Sequence, residues 1–256
     1  MDMIFDGVSQ WGMVFATGLA LCAGVVKGVV GFAMPMLLMA GLSAVMAPDL
    51  ALAGLILPTL ATNTWQALRE GPRAALASMR RYAVFLVTGA LVMAGSAQLV
   101  PVLPPAMMFL ILGIAITLYA VATLLGRGLH VAAKGGRRGE AAMGALAGLF
   151  GGVSGIWGPP TVAMLTARQT EKREQMRVQG VIFALGSVLL LLSHLGSGVL
   201  RAATLPLSLW LMVPAMAGVW LGFWLQDRLD QAAFRNATLW VLLIAGANLI
   251  RRGLVM

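Results

Sequence analysis

Charge is scarce in this chain, and acidic charge most of all. Nine Asp and Glu residues stand against eighteen Lys and Arg in 256 positions, 11% charged in total. Soluble domains carry about 25% charged residues, so a water-soluble globule is excluded. The single cysteine, Cys22, rules out an intramolecular disulfide and a cysteine-ligated metal cluster. His130 and His194 are the only histidines, and His130 falls in a loop, so no metal and no cofactor are expected. The first ten residues, M-D-M-I-F-D-G-V-S-Q, are acidic and lack the basic region of a cleaved signal peptide. They are expected to be retained.

What the chain does have is apolar length. Hydrophobic residues make up 60% of it and its mean hydropathy is +0.90. Runs of about 20 apolar residues, each long enough to cross a bilayer, recur to the C-terminus. Only helices or closed barrels satisfy their backbone there, and continuous rather than alternating runs select helices. The expected fold is an all-α polytopic membrane protein. The net charge of +9 does not point to nucleic acid, because no soluble basic domain exists. The basic residues cluster instead in short loops between apolar segments.

Eight apolar segments are expected, at 11–40, 50–68, 82–99, 106–125, 141–167, 178–195, 205–225 and 234–250. The first is too long for one straight span, and its flanks carry Asp2, Asp6 and Asp49 but no Lys or Arg. Basic loops follow the second (Arg69, Arg73, Arg80, Arg81), the fourth (Arg127, Lys134, Arg137, Arg138) and the fifth (Arg168, Lys172, Arg173, Arg177). The positive-inside rule places all three loops in the cytoplasm. The fifth segment then begins and ends on one side, as a hairpin of two short helices does. These charges divide the chain into a first repeat, 1–126, a basic cytoplasmic linker, 127–140, and a second repeat, 141–256. Each repeat is a broken helix or re-entrant hairpin plus three transmembrane helices. The charge rule favours inverted over parallel halves, as in many transporters, although Arg251 and Arg252 would then lie outside.

One motif occurs twice. Gly24 to Met36 reads G-V-V-K-G-V-V-G-F-A-M-P-M, and Gly148 to Pro160 reads G-L-F-G-G-V-S-G-I-W-G-P-P. Aligned without a gap, Gly24, Gly28, Gly31 and Pro35 fall on Gly148, Gly152, Gly155 and Pro159. Irregular backbone at membrane depth is tolerated only where it is buried or lines a watery cavity. A broken helix frees N–H groups at the start of its second half, where the helix dipole attracts anions. Pro35, Pro159 and Pro160 suit the first turn of a restarted helix, and glycine lets a ligand approach the backbone. The alternative is that the glycines serve close helix packing.

Lys27 is the one Lys, Arg, Asp or Glu embedded well within an apolar segment. An intramembrane charge marks a functional site by default, and snorkelling to the interface is its alternative. The polar end of the second segment, with Asn63 and Gln66 among threonines, either lines a polar path or bonds helix to helix. Trp157 is a candidate wall. The candidate substrate residues are therefore Lys27, Gly28, Gly31, Phe32, Asn63, Gln66, Gly152, Ser154, Gly155, Trp157 and Gly158. Arg177 and Gln179 are weaker candidates, while Trp65, Trp210, Trp220, Trp224 and Trp240 read as interfacial anchors.

The motif pair resembles the TauE/SafE family of anion transporters, the sulfite exporter or toluene-sulfonate-uptake family. A-G-V-V-K-G-V-V-G-F-A-M-P-M-L and G-L-F-G-G-V-S-G-I-W-G-P-P carry the resemblance. N-T-W-Q-A-L-R-E-G and R-E-Q-M-R-V-Q, at the second and sixth segments, extend it over nearly the whole chain. It implies secondary transport of sulfite, a sulfonate or a related anion such as sulfoacetate across a bacterial inner membrane. Family members often carry a longer glycine run in the first motif; here Phe32, Ala33 and Met34 separate Gly31 from Pro35 and leave fewer bare amides.

The expected mechanism is alternating access, with the anion held between the two breaks and Lys27 supplying positive charge. No carboxylate lies deep in a span, so a proton is carried by Lys27 or His194 or brought by the substrate itself, or the carrier is a facilitator driven by the membrane potential. The expected partners are a small anion and the lipid bilayer; a homodimer is allowed, and nucleic acid is not expected. An enzyme is not expected either. Gly152-Val153-Ser154-Gly155 matches the G-x-S-G of intramembrane serine hydrolases with His194 as base, and a membrane scaffold without a solute path is the other alternative.

Overall fold

The computed structural model describes residues 3–5, 8–96, 105–125, 136–154, 158–196 and 198–255. A short antiparallel pair, β1 (Met3–Phe5) and β2 (Val8–Ser9), opens the chain. The rest is helical: α1 (Gln10–Val30), α2 (Met34–Leu42), α3 (Pro48–Leu68), α4 (Pro72–Arg81), α5 (Ala83–Ser96), α6 (Pro105–Leu124), α7 (Gly136–Ser154), α8 (Gly158–Ala167), α9 (Lys172–Gly196), α10 (Leu205–Arg228) and α11 (Gln231–Val255).

Among the described residues four helices, α1, α9, α10 and α11, are long and apolar enough to cross a membrane; α4 and α5, bent by 71° at their junction, are either a broken fifth span or a re-entrant loop. The chain is a multi-pass membrane protein. The residues around Arg73, Arg80 and Arg81, expected as a loop, form α4, whose exposed positions include all three arginines. Its buried stripe, Ala75 and Ser78 leading to Tyr82, has helical spacing. α3 has the length of a span but spends it on Thr59, Thr62, Asn63, Thr64 and Gln66. α7 begins at Gly136, so the end of the expected linker is helical; residues 126–135 lie outside those described.

The helices gather into two compact units that do not follow the chain's halves. One comprises 1–72 and 180–230; the other comprises 73–179 and 231–256. Each contains one broken element packed on a helix from the other half of the sequence: α1 on α10 in the first unit, α7 on α5 in the second. Glycine sets both contacts. Gly24 and Gly28 lie against Gly218 and Gly222, where a Cβ on Gly28 would sit 2.5 Å from the Val219 carbonyl oxygen. Gly148, the alignment partner of Gly24, lies against Gly89, whose Cα would be 3.0 Å from an added Cβ. These are small-xxx-small contacts, with backbone against backbone and no side chain to yield. Gly28→Val is therefore expected to cost about 1–3 kcal/mol through overpacking. The check is thermal unfolding in detergent, and a variant melting with the wild type would refute the contact.

In the first unit, Ser9 caps α1 by accepting the Gly12 N–H at 3.1 Å, and Gly31, at φ 87°, ends the helix in the left-handed region. The core beneath is Ala16, Ala20 and Ala23 of α1 against Met34, Leu38 and Leu42 of α2 and Leu207 and Leu211 of α10. Pro58 interrupts α3 and deprives the Gly54 carbonyl of its usual N–H. Ser208 of α10 fills the gap: its hydroxyl donates to Gly54 O at 3.4 Å and accepts the Leu57 N–H at 3.1 Å.

Many of the large side chains left outside are apolar, which suits lipid. Trp210, Trp220, Trp224 and Trp240 are all at least half exposed. Trp65 differs from the other expected anchors, lying edge-on to Phe223 at 5.3 Å.

Candidate functional site: a buried lysine at the first helix break

The first break is narrower than the motif suggested. α1 continues through Lys27 and Gly28 to Val30, and only Gly31, Phe32 and Ala33 are irregular before α2 restarts. Gly28 is thus a packing residue within α1. Ala33 takes the left-handed conformation, φ 76°, as the N-cap of α2, and no side chain caps that helix. Pro35 sits in its first turn. Phe32, Ala33 and Met34 are buried. The uncapped start of a helix inside the unit is an anion-attracting end.

Lys27, in the last turn of α1, is 1% exposed. It does not snorkel. Its ammonium donates to Asn63 Oδ1 and, at 2.9 Å, to Gln66 Oε1. Both acceptors project from one face of α3, three residues apart, and Thr59 continues the face a turn earlier. Each amide is oriented by what its nitrogen finds. Asn63 Nδ2 donates to the Phe183 carbonyl at 3.2 Å and to Ser187 Oγ at 2.7 Å; Gln66 Nε2 donates to the Gly31 carbonyl at 3.1 Å. Ser187 in turn donates to Phe183 O at 2.7 Å. The donors therefore run outward from the lysine, and each amide oxygen accepts from it with one of its two lone pairs.

α9 comes close enough for this because Gly180 touches α3, where an added Cβ would lie 2.5 Å from Ala67 N. One turn beyond Gln66, Arg69 bonds Gln226 at 3.0 Å and Asp227 at 2.5 Å and lies 4.3 Å from the Phe223 ring centre, tying the end of α3 to α10.

Lys27 pairs with no carboxylate among the described residues. Two of its three N–H groups are used, with the Phe183 ring centre 5.9 Å away. The Thr59 hydroxyl is buried without a hydrogen-bond partner. Lys27 and Thr59 thus leave one N–H and one hydroxyl unused and buried in the first unit.

In the alignment that pairs Gly24 with Gly148, Val30 falls on Ser154 and Met34 on Gly158, the described residues on either side of 155–157. Pro159 and Pro160 are buried in the first turn of α8. Gly155 and Trp157 lie outside the described residues; Gly152 and Ser154 are helical, and their side chains are not described. Lys27 aligns with Gly151, so this element carries no equivalent charge.

The nearby buried polar residues of that unit are neutral: Thr161, Thr166, Gln175 and Gln179. Gln175 Nε2 donates to Thr166 Oγ1 at 3.4 Å. Arg177 is directed to Ser78 Oγ, at 2.7 Å. The buried charge here is Glu140, which accepts the Phe85 N–H at 3.2 Å and lies 3.6 Å from Arg168. His194 closes the other end of α9, in the first unit.

A family model described as sulfite exporter TauE/SafE matches residues 16–249. The chain belongs to this family. No curated protein and no solved structure matches it. The TauE/SafE match covers both broken elements and all of α3, α9 and α10. It makes the chain a membrane transporter of the sulfite-exporter type and leaves the scaffold and serine-hydrolase alternatives without support. Lys27, Asn63 and Gln66, all singled out from the sequence, come together in the structure, and Ser187, a lone polar residue in an apolar run, joins them.

Proposed function

We propose that this TauE/SafE protein is a secondary transporter that carries a small anion across the bacterial inner membrane by alternating access. Sulfite, a sulfonate or a related organic anion such as sulfoacetate is the substrate class. Lys27 supplies the fixed positive charge, with Asn63 and Gln66 holding it. Gly31, Phe32 and the start of α2 form the backbone side of the site, and Gly28 lets α1 approach α10 closely. The duplicated glycine-proline motif supports two repeats, 1–126 and 141–256, and the basic loops support their inversion. The second break, from Gly152 through Ser154, Gly155, Trp157 and Gly158 to Pro160, is the corresponding element of the other repeat.

The observation that carries this reading is Lys27, a buried cation set among neutral amide oxygens. An intramembrane charge without a protein counter-ion is costly, and a substrate anion relieves that cost. The test is uptake of sulfite, sulfonates and carboxylates into liposomes containing the purified protein. Flux of at least one class above that of empty liposomes is expected; none for any class refutes the proposal. Ser154→Ala removes one hydroxyl from the second element and is expected to weaken flux by no more than about tenfold, since the transport reading uses no serine nucleophile. Complete loss of flux with retained folding would reopen the hydrolase alternative.

A further inference from the structure

We infer that the Lys27 site selects anions bearing a single negative charge. The inference rests on the anion-transport reading and adds the charge of the substrate to it. Among the described residues of its unit, Lys27 is the only buried charged side chain. Asp49, Glu70 and Arg201 are exposed, and Arg69 and Asp227 balance each other at 2.5 Å. The groups facing the ammonium are uncharged: the Asn63 and Gln66 oxygens from α3 and the Phe183 ring from α9. One positive charge is therefore available, and one negative charge neutralises it. A dianion would leave an unpaired negative charge out of water, which is strongly unfavourable.

The amide orientations point the same way. Asn63 and Gln66 present oxygen to the lysine because their nitrogens are spent on Phe183 O, Ser187 Oγ and Gly31 O. A second anionic group would meet acceptors, and turning either amide to offer N–H breaks bonds to buried carbonyls. An anion that keeps one proton fits better, because its O–H can donate to one of those oxygens. This narrows the substrate class proposed above to a monosulfonate, or a singly protonated oxyanion such as hydrogensulfite, over sulfate, the sulfite dianion or a sulfonate carrying a second acid group such as sulfoacetate.

The experiment is competition for flux in liposomes holding the full chain, with anions matched in shape and different in charge: methanesulfonate against sulfate, and ethanesulfonate against sulfoacetate. Each monoanion is expected to compete at a concentration at least about tenfold lower than its dianionic counterpart. Dianions competing equally well or better overturn the inference and leave the transport reading standing. If no anion of either charge competes or is carried, both fall.

A second arm uses the ligand's own titration. Total sulfite is expected to gain potency relative to methanesulfonate as the pH is lowered and hydrogensulfite accumulates. Methanesulfonate stays singly charged throughout, so it corrects for titration of the protein. A constant ratio of the two potencies across the pH series overturns the preference for hydrogensulfite.

Discussion

Lys27→Gln is expected to lower anion flux by about two to three orders of magnitude, the scale associated with truncating one partner of a desolvated charge contact. The glutamine is shorter and neutral, so it neither fills the position of the ammonium between Asn63 and Gln66 nor attracts an anion. Stability is expected to move little or to improve. The lysine's charge is buried at 1% exposure, and removing it also removes the cost of taking that charge out of water. This combination, transport lost and fold kept, separates a substrate site from a structural lysine. A purely structural Lys27 would give the reverse: a lower melting temperature and flux in proportion to the protein that remains folded. Both are measured on one preparation, by thermal unfolding in detergent and by initial uptake in liposomes.

Much of the scaffold could be read from the sequence because the signals were local. An apolar run predicts a helix without reference to anything distant, and the proline of each motif fell in the first turn of a short helix, at α2 and at α8. Lys27 stood out because a charge inside an apolar run has few structural uses. The role of Gly28 was less legible. Its spacing fits both a bare amide for a ligand and a close helix crossing, and only the position of Gly222 on α10, far along the chain, shows the crossing. Ser187 was invisible for the same reason: a lone serine in a leucine-rich helix says nothing until Asn63 is found 2.7 Å away. The units themselves, 1–72 with 180–230 and 73–179 with 231–256, lie beyond local patterning. Which helix pairs with which is decided by glycine faces that match across the sequence.

Asn63→Asp should separate charge from shape most sharply. The substitution keeps an oxygen where Oδ1 now accepts from Lys27, and it turns a neutral contact into an ion pair. The lysine then has its counter-ion within the protein, and a substrate anion must displace a carboxylate to bind. Flux is expected to fall about as far as in Lys27→Gln, by two to three orders of magnitude. The new oxygen replaces Nδ2 and so loses two donations. The Ser187 hydroxyl can rotate and donate to the carboxylate, but only by giving up Phe183 O, so that carbonyl loses both of its side-chain donors. A direct pair with a buried ammonium outweighs two neutral hydrogen bonds of about 1 kcal/mol each, so the melting temperature is expected to hold or rise. Asn63→Leu supplies the contrast. It removes the acceptor and both donors, leaves Lys27 with one partner and the Phe183 carbonyl with less, and is expected to destabilise by about 1–3 kcal/mol. Opposite stability changes with a shared loss of flux would show that the amide is kept at position 63 so that the lysine's charge stays free for the substrate. Normal flux in Asn63→Asp would show that the charge at this site does not bind the anion.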